Sequence, residues 1–267
     1  MKKVAVVALF LAGIASASED RAFVVDADMT FASKYMSDGF KIGGDHPVWQ
    51  PSIGLTTPLP GVSLAVWSAI QVDRDNQQYD EYDFMVNYGR DFFTGLVYSF
   101  NLHGYYDYWT YPKINFATPT TNAPDSSQNM HGNKLHAGVS MTNLIPLWGS
   151  HLVPSYNLYY WLYWAQNRQD LFQGGAHHEL LLSYYHDIPR FIPGVQEQYV
   201  GGSASANYND GAFNVQPGWS HTVAVLSTGV YAVGAVFALS LNRQWSYNPM
   251  VDPDNEVWST ISFTKRF

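Results

Sequence analysis

His177-His178-Glu179 is the densest run of proton-transferring and metal-ligating groups in the chain. On a strand, neighbouring side chains point to opposite faces. His177 and Glu179 can therefore meet one ligand, and His178 cannot join them. Ser183 lies four residues on, on the Glu179 face, so the pieces of a hydroxyl–imidazole–carboxylate relay are present. No nucleophile elbow or other specific motif surrounds them, and a motif-free cluster is weak evidence for catalysis. Rim histidines are the expectation, with no catalytic residue and no enzymatic reaction.

Two acidic loops offer a different chemistry: Asp73, Asp75 and Asp80, and Asp252, Asp254 and Glu256. Oxygen-rich loops hold calcium. The spacing lacks the central glycine of a calcium loop, so solvated loop faces are expected and no metal or cofactor site is assigned. Gly201-Gly202, followed by Ser203, Ala204, Ser205 and Ala206, has the small residues of a phosphate loop. Without a following helix that mechanism fails, and these residues fit a bend in a strand.

A third set is larger and more dispersed. Asp26, Asp28, Lys34, Glu81, Asp83, Asn101, His103, His136, Asn157 and Glu179 all fall on the polar face of an alternating segment. If those faces enclose a lumen, acids outnumber bases along its wall. Such a wall gathers cations and repels anions. The competing arrangement has these groups pairing with each other across a filled interior.

The elements that must position them follow from period-two alternation, the mark of strands with one apolar face. From Phe23 to Tyr35, the residues Val25, Ala27, Met29, Phe31 and Tyr35 share one face, and Asp26, Asp28, Thr30 and Lys34 the other. The pattern recurs at 48–57, 62–72, 79–88, 96–106, 135–142, 152–164, 178–186, 196–207, 212–226, 230–242 and 256–267, predicting twelve strands. The connections alternate in kind. Pro58–Gly61, Gly89–Thr94, Asn143–Ser150, Asp187–Gly194 and Ser227–Gly229 are short and carry Pro or Gly. Ser37–Pro47, Asp73–Gln78, Trp109–Lys134, Ala165–Ala176, Asn207–Gly211 and Trp245–Asn255 are more polar or longer. Short turns alternating with longer loops characterise outer-membrane barrels. The expected fold is all-β: a transmembrane antiparallel up-and-down β-barrel.

Both termini support that reading. Met1-Lys2-Lys3, an apolar run from Val4 to Ile14, and Ala15-Ser16-Ala17 have the layout of a secretory signal peptide. A cleaved leader over 1–17 is expected, with one barrel domain over 18–267. At the other end, alternation carries through Val257, Ser259, Ile261, Phe263, Lys265 and Phe267, and the terminal aromatic is the expected assembly signal.

Composition excludes other classes. Charged residues are 13% of the chain against about 25% in ordinary soluble proteins. Aromatics are 16%, led by 19 tyrosines, which suit membrane–water interfaces. The net charge of −8 becomes more negative once Lys2 and Lys3 leave, which argues against a nucleic-acid partner. No cysteine is present, so no disulfide staples the fold.

Three segments carry a resemblance. They are Phe31-Ala32-Ser33-Lys34-Tyr35-Met36-Ser37-Asp38-Gly39, then Pro47-Val48-Trp49-Gln50-Pro51-Ser52-Ile53-Gly54, then Tyr79-Asp80-Glu81-Tyr82-Asp83-Phe84 with Tyr88-Gly89. Together they resemble the opening hairpins of the TorF-like porins. Ser33 and Tyr35 match that family's first strand, while Lys34 replaces its acid and Asp38 stands before Gly39 where Arg is usual. The resemblance ends near Gly89. It implies an outer-membrane barrel passing small molecules and names no substrate.

The functional expectation is a passive channel for small neutral or cationic solutes. Its expected partners are outer-membrane lipid, lipopolysaccharide and the barrel assembly machinery, and its expected location is the bacterial outer membrane. Two alternatives are a barrel enzyme acting on lipid or lipopolysaccharide, and a structural or adhesive barrel whose outer loops bind ligands.

Overall fold

Alternation that persists over nine to fifteen residues builds long wall strands, and here it builds twelve. The computed structural model describes residues 23–93, 99–112, 130–162 and 174–267; the expected leader lies outside the described residues. The wall strands are β1 (Val24–Ala32), β4 (Val48–Thr56), β5 (Val62–Gln71), β6 (Glu81–Phe92), β7 (Phe100–Tyr111), β8 (Met130–Met141), β10 (Ser150–Trp161), β11 (Gly175–Asp187), β12 (Glu197–Asp210), β13 (Gly218–Ala232), β14 (Ala235–Ser246) and β15 (Glu256–Arg266). Three short strands are additional: β2 (Tyr35–Ser37), β3 (Phe40–Ile42) and β9 (Ile145–Leu147).

Each wall strand pairs antiparallel with its neighbours in chain order, and β15 returns to β1, closing the barrel. The seam runs from Asp26 opposite Arg266 to Ala32 opposite Thr260. Phe267 extends it, its N–H donating to the Val25 carbonyl at 2.8 Å. Closure removes free strand edges, which hydrocarbon cannot solvate.

The outside is apolar. Ile53, Leu64, Val66, Val86, Leu102, Leu180, Leu226, Leu239, Leu241 and Ile261 are exposed on it. Exposed aromatics lie towards both ends: Trp49, Tyr160 and Trp219 at one, Tyr88, Phe92, Phe93, Trp148 and Phe267 at the other. Aromatic belts around an apolar waist match a membrane slab with two interfaces.

The two ends differ. At the end holding both described termini, the connections are brief, and β13 passes to β14 through Val233-Gly234 alone. The opposite, loop end carries the longer connections. Several boundaries depart from the predicted ones. Ser227–Gly229 is not a turn: all three residues lie inside β13, where Gly229 leaves room for the Tyr199 ring. The break comes at Val233 and Gly234, whose φ values of 48° and 75° make a mirror-image turn that suits strand twist. Residues 212–217, predicted as strand, precede β13, and Ala212–Asn214 form a short 3₁₀ turn. Trp109–Lys134 is shorter as a loop than predicted. β7 runs on to Tyr111 and β8 begins at Met130, with 113–129 outside the described residues.

The largest departure is at the first loop. β1 stops at Ala32 and the chain bends at Ser33-Lys34, so Lys34 leaves the wall and Tyr35 does not face lipid. Instead Tyr35–Ile42 forms a hairpin around Asp38-Gly39, with φ of 50° and 92°. The hairpin folds into the lumen.

Candidate functional site

Inward-facing residues divide the lumen into two halves. Towards the turn end they are small: Ser52, Gly54, Ser63, Ala65, Ser155, Ser183, Gly201 and Ser203, all partly exposed. Small side chains leave space, and this half forms a vestibule. Towards the loop end they are large and buried, including Trp67, Trp109, Tyr111, Tyr159, Trp161 and Trp258.

The hairpin β2–β3 fills what remains of the loop half. Its first strand meets one wall: Tyr35 donates its hydroxyl to Glu81 of β6, which also accepts Tyr111 at 2.7 Å, and its ring lies 6.0 Å from that of Trp67. Met36 packs against Val223 and Trp258, beyond the barrel seam. The tip reaches farther. Gln244 of β14 donates to the Gly39 carbonyl at 2.7 Å, and Lys134 of β8 stands 3.9 Å from Asp38. Gly39 is required here. A Cβ at that φ would meet the His221 ring at 2.5 Å. Contacts to strands on opposite sides of the barrel mean that the hairpin crosses the lumen. Phe213, from the loop before β13, adds to the fill, meeting Phe40 at 5.3 Å and Trp161 at 4.7 Å.

The root of the hairpin is fixed by charge. Lys34 Nζ lies 2.5 Å from Glu256 Oε2 and 2.7 Å from Asp45 Oδ1. Lys41 Nζ lies 2.7 Å from Glu256 Oε1 and 3.4 Å from the same Asp45 oxygen. Both carboxylate oxygens of Glu256, on the barrel wall, are thus taken by ammonium groups from the hairpin. The hydrogen bond from Lys34 holds the exposed Asp45 carboxyl below its ordinary range.

The ten predicted pore residues separate along this boundary. Asp26, Asp28, Asn101 and His103 are partly exposed on the vestibule side. Asp26 lies 3.5 Å from Arg266, and Asp28 accepts from Thr264 at 2.6 Å and Thr30 at 2.9 Å. Glu81, Asp83, His136, Asn157 and Glu179 are inward but buried in the filled half. His103 and His136 both meet Asn157 Oδ1, at 3.1 and 3.2 Å. Asn157 and Tyr159 both donate to Glu179 at 3.1 Å. Lys34 belongs to the hairpin root.

His177 and Glu179 share the lumen face and His178 points away, bonding Tyr156 at 2.7 Å. His177 is spent on Asn207 at 3.0 Å, and Ser183 donates to the Val153 carbonyl at 3.5 Å. The two acidic loops differ. Asp73 accepts from Asp75 N–H at 3.0 Å and faces His46 at 3.2 Å, while Asp80 accepts from Gln71 N–H at 2.8 Å. Asp252, Asp254 and Glu256 converge instead, and burial pushes the Asp252 carboxyl up from its ordinary value.

No family model and no curated protein matches the chain. Solved structures do. An outer membrane channel from Pseudomonas putida F1 aligns over 94% of this chain and 97% of its own at 10% identity, with a TM-score of 0.48. Pseudomonas putida OprB aligns over 86% of this chain at 11% identity and a TM-score of 0.36. CdiB from Acinetobacter baumannii aligns over 92% at 8% identity and 0.44. This chain spans 61% and 60% of the last two.

Several site residues escaped the sequence reading. Asp91, Asp187 and Glu197 face inward at the vestibule mouth; Asp91 and Asp187 were missed because β6 and β11 run farther than the apolar pattern marks, while Glu197 lies inside the predicted 196–207 segment. Lys134, read as loop, is fully buried in β8. Its ammonium lies 5.5–5.7 Å from the rings of Tyr105, Tyr159 and Trp161 and 3.5 Å from Asp107. The hairpin itself had a signal, Asp38-Gly39, a favoured pair for a two-residue hairpin turn.

Proposed function

We propose that this chain is an outer-membrane channel for small neutral or cationic solutes, related to the TorF-like porins and delivered by a cleaved leader. The observation carrying this reading is the closed barrel with an apolar belted exterior and a polar vestibule inside. An exterior of that kind is stable in lipid, where it meets membrane lipid and lipopolysaccharide, and a lumen lined by serine and glycine leaves room for solute. The short turns and both termini then face the periplasm, and assembly is served by the terminal Phe267. The inserted hairpin makes the resting channel narrow at its outer half.

Planar-bilayer recording tests the reading. Purified protein should give discrete steps, and a variant lacking residues 35–45 should give larger ones. Silence from both proteins, with the barrel shown intact by heat-modifiable gel mobility, would overturn it.

A further inference from the structure

Among the described residues, one group of carboxylates is arranged for a cation. Asp252, Asp254 and Glu256 each present an oxygen, and the three lie within 4.8 Å of one another. Calcium binds oxygens at about 2.4 Å, so two ligands on opposite sides of the ion are about 4.8 Å apart. The span fits. A second observation is independent of that spacing. Asp252 is 2% exposed, and its Oδ2 is buried with no hydrogen-bond partner, while Oδ1 accepts from Asp254 N–H at 3.0 Å. A buried carboxylate oxygen without a donor is costly unless something positive meets it.

Charge points the same way. Four carboxylates, those of Asp45, Asp252, Asp254 and Glu256, face two ammonium groups, those of Lys34 and Lys41. The remainder is two negative charges, the deficit one divalent cation fills.

Glu256 ties this cluster to the plug. Each of its oxygens already holds a lysine from the hairpin root. An oxygen that ligates a divalent ion holds an ammonium at 2.5–2.7 Å less firmly, because the two cations repel at short range and share one carboxylate charge. We infer that Asp252, Asp254 and Glu256 form a divalent-cation site that competes with Lys34 and Lys41 for Glu256, so that cation binding loosens the lumenal hairpin. The displaced lysines retain Asp45, which is exposed in the connection between β3 and β4. Of the other ties of the hairpin, Gln244 stands opposite Glu256 on the neighbouring strand, while Glu81 and Lys134 lie on β6 and β8, so loosening starts at the root.

The absence of cysteine makes the test direct. Met36 is 2% exposed between Val223 and Trp258. Met36→Cys places a thiol that a maleimide reaches only when the hairpin leaves the lumen. The full-length barrel in detergent is titrated with calcium chloride by calorimetry, and labelling is timed with and without calcium. One calcium per chain is expected, weakened by about tenfold or more in Asp252→Asn/Asp254→Asn through loss of ligand charge. Lys34→Gln/Lys41→Gln should bind calcium more tightly, since the competitor is gone. Calcium should speed labelling of Met36→Cys about tenfold, as expected of a ligand that prefers one of two states, and should not do so when Asp252→Asn/Asp254→Asn is added. Calcium affinity equal in wild type and Asp252→Asn/Asp254→Asn would overturn the site. Saturable binding with unchanged labelling would overturn the coupling. Neither readout involves conductance, so a silent bilayer with responsive labelling would remove the channel reading and leave this one standing.

Discussion

Lys134 is the residue on which the filled half of the lumen turns. A fully buried ammonium needs compensation, and it receives Asp107, Asp38 and the faces of three aromatic rings. Removing the charge takes away the ammonium that stands 3.5 Å from the fully buried Asp107. Lys134→Met should therefore cost about 3 kcal/mol or more. Arg266→Met, which removes the cation beside Asp26 from a pair that is 33% and 22% exposed, should cost under about 1 kcal/mol. Urea midpoints of the two variants, followed by loss of the fast-migrating folded band, compare them; equal midpoints would contradict the buried-pair argument. At this scale the facing of side chains was legible. Asp26, Asp28, Asn101, His103, His136, Asn157 and Glu179 all point inward, because strand parity is local. Lys34 and Tyr35 were not legible. Their parity continues the β1 pattern through a bend at Ser33-Lys34 that nothing in the alternation marks.

At the scale of elements, the tight turn between β13 and β14 carries an unusual residue. Val233 has φ of 48°, a left-handed conformation that β-branched side chains disfavour, and it is 83% exposed, so no packing demands it. Val233→Asn should stabilise this hairpin by about 1 kcal/mol, since asparagine tolerates that conformation. A lowered urea midpoint would show that the turn is not strained. The seam offers a second check. Phe267 supplies backbone hydrogen bonds to Val25 at 2.8 and 3.4 Å where the first and last strands meet. Deleting it should lower the yield of heat-modifiable barrel, measured on gels of outer-membrane fractions; unchanged yield would deny the residue any role in closure. The count of twelve strands was readable because each keeps one apolar face on the outside of the barrel. Their ends were harder to read. Beyond the apolar band the alternation loses its apolar half, so Asp107, Trp109 and Lys134 fell outside their strands. Ser227–Gly229 imitated a turn only because small residues serve both turns and crowded lumen walls.

For the whole molecule, the inward charges are sorted by depth. Asp83, Glu81 and Glu179 lie buried beside the plug, so they cannot set the preference of a solute entering from the vestibule. The partly or fully exposed inward charges at the mouth are Asp26, Asp28, Asp91, Asp187 and Glu197, with Arg266 their one cation among the described residues. Arg266 is engaged with Asp26 at 3.5 Å, and Asp91 and Asp187 carry only neutral partners, Asn101 at 2.8 Å and the Tyr185 hydroxyl at 2.6 Å. A mouth of this composition is acidic, and its field reaches about 10 Å into 0.1 M salt. Cations should therefore carry most of the current at low salt, and the preference should fade as salt rises. Asp91→Asn/Asp187→Asn/Glu197→Gln removes three of the charges while keeping polar side chains of similar size, and should move the reversal potential under a salt gradient towards zero. Asp83→Asn should leave the reversal potential where it is, since that carboxylate is fully buried beside the hairpin. A shift in the second protein and not the first would place the selecting charge beside the hairpin rather than at the mouth.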